Sequence, residues 1–205
     1  KLLGLGFDEG NWQNQRDRIV EFCNTLSMIT GSIGKIAKDI LVLSQDEISE
    51  ISFKRAGGSS SMPHKRNPII AELLISLAKL NSSHLSVMHD SLMHKNERDG
   101  ISWMVEWKAL NSMLRLTSAS LSHFNKCLSS LIVNKDVMKK NIDNTYGVIF
   151  SDYLFHKLLQ IYSYNKLKKK FPDLINKALK EKIHLLDVIN KHLGVKLNVN
   201  KNKMQ

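Results

Sequence analysis

The sequence predicts an all-α protein: an elongated bundle of long helices plus a small C-terminal helical domain. Three observations carry this. Apolar residues recur at spacings of three and four over long stretches. Prolines stand only at 63, 68 and 172, leaving long segments without a breaker. No stretch shows convincing strand-type alternation.

The first helix is expected from near Asn11 to near Phe53. Its row is Ile19, Phe22, Leu26, Ile29, Ile33, Ile36, Ile40 and Leu43, with spacings alternating between three and four. A helix of about 40 residues spans about 60 Å. Gly31 and Gly34 lie inside it, and each costs about 1 kcal/mol against alanine, so a bend or a close helix contact is expected there. Ile70, Leu73, Leu77, Leu80, His84 and Val87 give a second helix. Leu110, Leu114, Thr117, Leu121, Phe124, Leu128 and Leu131 give a third.

A bundle usually closes with four or more helices, and this stretch supplies three. The remaining partners are expected from an N-terminal part that is not seen, from other subunits, or from both. The chain starts with Lys rather than Met, which fits a piece of something longer. Leu26, Ile33 and Ile40 are then expected to be shielded only when partner helices are present. After Asn134 the pattern shortens to about 135–142, 145–164, 171–181 and 183–192. Phe171-Pro172-Asp173 reads as a turn and a fresh helix start. The expected domains are 1–133, with a loop at 55–68 between its first two helices, and 134–205.

A composition of 42% hydrophobic and 24% charged residues excludes disordered and low-complexity classes. No run approaches the ~18 apolar residues that a membrane helix needs, so no membrane partner is expected. The net charge of +11 is uneven. Residues 1–133 hold 15 basic and 13 acidic groups, whereas 134–205 hold 15 lysines, no arginine and 6 acids. Lysine without arginine or interleaved stacking aromatics reads as a solvated face, not as specific nucleic-acid recognition. Cys23 and Cys127 are too few and too far apart for a metal site or a disulfide framework. They read as free thiols in a reducing cytoplasm.

Chemistry concentrates in Lys54-Arg55-Ala56-Gly57-Gly58-Ser59-Ser60-Ser61-Met62-Pro63-His64-Lys65-Arg66-Asn67-Pro68. The glycines and serines make the first half pliable, and the second half is stiff and cationic. Asn67 and Pro68 read as the N-cap and first residue of the next helix. Hydroxyls, cations and a helix N-terminus at one place suit a carboxylate substrate under a mobile lid.

Gly58 through Pro68 matches G-S-S-x-M-P-x-K-x-N-P, and on it the chain resembles the fumarase/aspartase superfamily. The resemblance covers essentially the whole chain and implies that roughly the first half of a full-length member is missing. It implies a homotetramer built around long helices, with active sites assembled from several subunits. It makes Ser59 the base that removes a proton from the carbon beside a carboxylate. Lys65 and Asn67 then hold the substrate carboxylate and stabilise the carbanion, and Gln15 is placed with the substrate-binding groups. Arg98 is the candidate for a second carboxylate contact, because a guanidinium fork matches that geometry.

Two further segments bear on the branch. Gln15-Arg16-Asp17-Arg18 and Glu97-Arg98-Asp99 also resemble adenylosuccinate lyases. Those enzymes carry a serine and an arginine for the nucleotide phosphate where this chain has Trp103 and Trp107. Tryptophans there, together with Trp12, resemble the carboxymuconate cycloisomerases, with Gln13 departing from the histidine common in that branch. Trp103 and Trp107 are candidates for a pocket wall, with plain helix packing as the alternative.

The expected function is lactone-forming addition–elimination on a small polycarboxylate. The alternatives are adenylosuccinate lyase and an inactive truncated helical assembly module. HExxH, CxxC and a Gly-rich dinucleotide fingerprint are absent from the sequence, and no metal or cofactor is expected.

Overall fold

The structure is a computed structural model that describes residues 4, 6, 12–54, 68–197 and 199, and the backbone alone of 57, 58, 66 and 67. The chain divides into two compact units, Lys1–Val133 and Asn134–Gln205.

Three helices build the first unit: α1 (Asp17–Leu43), α2 (Ile69–Asp90) and α3 (Gly100–Ser130). Two core clusters give their directions. Val20, Cys23 and Leu26 of α1 pack with Met88 of α2 and with Ala109 and Met113 of α3. Ile33, Ala37 and Ile40 pack with Ala71 and Leu74 of α2 and with Cys127 of α3. The start of α1 therefore meets the end of α2 and the start of α3, an up–down–up arrangement. Between the clusters sits a polar tie. The buried Asn81 amide on α2 donates to Thr30 Oγ1 of α1 at 3.1 Å and to Thr117 Oγ1 of α3 at 3.0 Å. Both threonine hydroxyls donate to carbonyls of their own helix, which leaves their lone pairs for Asn81.

The apolar rows read from the sequence are corrected in phase. Leu26, Ile33 and Ile40 are only 7%, 5% and 4% exposed, so α2 and α3 of this same chain shield them without further partners. The alternate members of that row, Phe22, Ile29 and Ile36, are exposed. On α2 the buried residues are Ala71, Leu74, Leu77, Asn81 and Met88, while Leu73 and Leu80 face outward. On α3 they are Ser102, Glu106, Ala109, Met113, Thr117, Ser120 and Cys127, while Leu114, Leu121 and Leu128 are exposed. Small and polar side chains share the inner rows with Leu74, Met88 and Met113, and they let helix backbones approach. At Gly34 an added Cβ would stand 2.8 Å from the Ala78 Cβ, so this glycine marks the close α1–α2 contact. Gly31 faces open space.

Helix boundaries also differ. α1 begins at Asp17 rather than near Asn11 and ends at Leu43 rather than near Phe53. Strand pairing, not expected from the sequence, takes over beyond it. β1 (Ile51–Phe53) pairs antiparallel with β4 (Leu131–Val133), tying the exits of α1 and α3 together. The backbone of β2 (Gly57–Gly58) pairs with β3 (Arg66–Asn67) across the base of the signature loop. Asn67 is therefore in a ladder, and Pro68 takes the cap position before Ile69. A residue before proline is driven toward extended backbone, which moves the helix start by one.

The second unit holds α4 (Lys135–Asp143), a 3₁₀ turn (Val148–Phe150), α5 (Ser151–Leu158), α6 (Tyr164–Glu181) and α7 (Leu185–Leu193). Leu154 and Leu158 of α5 share its core with Leu167, Phe171, Leu174 and Ala178 of α6 and with Leu185 and Ile189 of α7. The helix expected over 145–164 is broken at Gly147, whose φ of +74° is left-handed. The His184 ring packs where a Cβ on Gly147 would stand. His184 Nδ1 accepts from Leu186 N at 3.2 Å and caps α7.

Pro172 lies inside α6 rather than opening a helix. An internal proline costs ~3 kcal/mol. The burial of Leu167, Phe171, Leu174 and Ala178 along one stripe holds the helix through it. Phe171 adds an edge-to-face contact with Phe155 at 5.1 Å. No helix among the described residues is long and apolar enough to cross a membrane.

Candidate functional site

Parallel α1 and α3 bring two segments to one end of the first unit: 12–16 ahead of α1 and 94–99 ahead of α3. Asp99 builds the entry to α3. Its carboxylate accepts from Ile101 N at 3.0 Å, from Ser102 N at 3.4 Å, from Ser102 Oγ at 3.1 Å and from Lys95 N at 3.3 Å. Desolvation, the largest single influence, pushes this carboxyl up, and the hydrogen bonds together outweigh it and hold its pKa below the ordinary value.

Four contacts fix the segment before α1. Arg16 makes a fork on Glu106, with Nε to Oε2 at 2.7 Å and Nη2 to Oε1 at 2.5 Å. Arg16 Nη1 donates to Trp12 O at 2.9 Å, and the guanidinium lies 5.3 Å from the Trp12 ring centroid. Trp103 Nε1 donates to Gln13 O at 3.0 Å. Asn14 Nδ2 donates to Asn96 O at 2.8 Å.

Glu106 is 1% exposed and Arg16 12%. The hydrogen bond to Glu106 raises the Arg16 pKa against the opposing effect of burial. Burial, helped by the Glu106 charge, pushes the Cys23 thiol up to about 11. Burial also raises Cys127. Both cysteines are free and buried, which makes them poor nucleophiles.

Among the predicted residues, Arg98 and the two tryptophans come together. The Arg98 guanidinium lies 5.5 Å from the Trp103 ring centroid. Trp103 and Trp107 stack with centroids 5.8 Å apart and planes at 28°. Trp107 is 59% exposed, so the pair presents an aromatic face outward. Arg98 is exposed and has no carboxylate within salt-bridge distance among the described residues. The two arginines thus divide: Arg16 is held by Glu106, whereas Arg98 lies beside Trp103 with no carboxylate partner among the described residues. Gln15 is exposed, between residues that are pinned on either side. Ser59 and Lys65 lie outside the described residues, as do the Asn67 side chain and the lid expected over 55–66.

Glu106 is the structural residue that the sequence reading passed over. Its signal was its position: a carboxylate in step with Ser102, Ala109 and Met113 on the inner row must find a cation.

Comparison with known proteins shows the family of the chain. A family profile described as Lyase matches residues 1–80. Over its whole length the chain is 32% identical to the 3-carboxy-cis,cis-muconate cycloisomerase of Acinetobacter baylyi, spanning 46% of that enzyme. The crystal structure of 3-carboxy-cis,cis-muconate lactonizing enzyme from Pseudomonas putida superposes with a TM-score of 0.78 at 30% identity, over 94% of this chain and 43% of that one. The chain belongs to the fumarase/aspartase superfamily of lyases. Other relatives in the superfamily are named for different reactions. The N-acetyl-S-(2-succino)cysteine lyase of Enterococcus italicus is 35% identical over 78% of this chain and 36% of that protein. The chain spans under half the length of these curated relatives.

Proposed function

We propose that the protein to which this chain belongs is a cycloisomerase acting on a small polycarboxylate of the 3-carboxy-cis,cis-muconate type. The carrying observation is the intact signature from Gly58 to Pro68, with Ser59, Lys65 and Asn67 present, in a chain 32% identical to a named cycloisomerase. In the closing direction one substrate carboxylate forms a C–O bond to a conjugated alkene carbon. The electron pair moves to the neighbouring carbon and into the carboxylate beside it, and the Ser59 hydroxyl delivers the proton that completes the lactone. In reverse, Ser59 as alkoxide removes that proton, the carbanion forms, and the C–O bond breaks. Lys65 and Asn67 stabilise the carboxylate that carries the developing charge, which lowers the barrier only if they grip it more tightly in the transition state. The exposed, uncommitted Arg98 beside Trp103 supports a second carboxylate contact there, with Gln15 on the adjoining segment.

A second reading is elimination from a succino-substituted substrate. The similarity to a succinocysteine lyase favours it, and adenylosuccinate is its purine case. Assaying the full-length protein for lactone formation and for fumarate release separates the two. Ser59→Ala in the active protein is expected to lower kcat by orders of magnitude with substrate binding nearly intact, and Lys65→Ala to weaken both. Near-normal turnover by Ser59→Ala removes the serine-base reading.

The outward rows Phe22, Ile29 and Ile36, Leu73 and Leu80, and Leu114, Leu121 and Leu128 support assembly through further helices, as in a homotetramer. Two unbridged thiols favour a cytoplasmic setting.

A further inference from the structure

Residues 134–205 carry +9 of the net +11 charge, and the structure gathers part of it around one concavity. A cavity of about 180 Å³ is lined by Tyr162, Lys166, Leu167, Lys170, His192 and Leu193, between α6 and the end of α7. Lys166 and Lys170 stand one turn apart on α6, where like charges repel. Neither they nor His192 have a carboxylate within salt-bridge distance among the described residues. The Lys166 ammonium lies 5.5 Å from the Tyr162 ring centroid, a contact that orients the charge without neutralising it. Negative character in the wall is already taken up, since the Leu193 carbonyl accepts the Tyr162 hydroxyl at 2.9 Å.

We infer that this cleft is a binding site for a small polyvalent oxyanion, held by Lys166, Lys170 and His192 beside Tyr162. Size sets the class. The cavity has room for about six waters at ~30 Å³ each and is smaller than the ~300–1,000 Å³ of pockets for drug-sized ligands. Inorganic phosphate or a compact di- or tricarboxylate fits this volume. Lysine ammoniums are suited to such an anion as point charges. This site is independent of the reaction proposed above, because none of its residues belongs to the signature loop or to the Arg98 segment.

The alternative is a diffuse lysine field that attracts any anion equally, and matched variants distinguish the two. The full-length protein is titrated calorimetrically with inorganic phosphate and, separately, with citrate, with chloride adjusted to hold ionic strength constant. Saturable binding is expected for at least one probe, and the tighter of the two names the source. Lys166→Gln with Lys170→Gln should weaken it at least tenfold. Lys139→Gln with Lys168→Gln removes the same charge from α4 and from another face of α6, and should change it less than twofold. Absence of saturation by both probes, or equal weakening by the two double variants, overturns the site.

Discussion

Glu106 shows how one buried carboxylate organises a surface segment. At 1% exposure it is costly without a cation, and Arg16 supplies a two-pronged one. Arg16 then holds Trp12 through the backbone and the ring. The pair therefore places the segment that carries Gln15, next to Arg98, which has no carboxylate partner among the described residues. Glu106→Gln is expected to destabilise the chain by about 3–5 kcal/mol, because the Arg16 charge is left largely buried without its partner. Urea unfolding measures this. Replacing both residues, as Glu106→Gln with Arg16→Met, should recover part of the loss. Unchanged stability in the single variant would show that the clamp contributes nothing.

At the scale of helices, the two glycines of α1 make opposite predictions. Gly31 lies in a helix interior with nothing within 4 Å of an added Cβ, so Gly31→Ala should stabilise by about 0.5–1 kcal/mol. Gly34→Ala gains the same propensity but drives a Cβ to 2.8 Å from the Ala78 Cβ. Overpacking costs about 1–3 kcal/mol, so the net effect should be destabilising. Thermal melts of the two variants should move in opposite directions. A common direction would mean that α1 and α2 are not held at this distance. Asn81 acts on the same scale, since its hydrogen bonds to Thr30 and Thr117 align the three helices at one level.

For the whole molecule, each long helix carries a second apolar row that stands exposed among the described residues. Phe22 is 47% exposed, Leu80 52% and Leu128 48%, on three different helices. Exposed apolar rows of this kind promote association. The isolated 205 residues should therefore elute as oligomers in size-exclusion chromatography with light scattering. They should show neither lactone formation nor fumarate release, and a matching N-terminal half supplied in trans should restore solubility and turnover. A monomeric, active preparation of these residues alone would refute both parts.

Periodicity and the eleven-residue signature were legible without any structure. A three-and-four apolar spacing has one physical solution at this length, the helix. A loop with glycine, serine, lysine and two prolines at fixed offsets carries the superfamily signature locally. Which row of each helix faces inward was not legible. Every helix offers two, and the large aliphatic residues suggest the wrong one on α2 and α3. Beside Leu74, Met88 and Met113, the inner rows include Ala71, Ala109, Ser120 and Asn81, which look unremarkable in sequence. They are buried because the three helices approach closely at their levels, and that approach is set by all three helices together. The β1–β4 pairing and the continuation of α6 through Pro172 were likewise decided by tertiary contacts. Three-residue strands carry too little local signal to read. A proline's local cost is overridden only where a buried stripe runs on both sides of it.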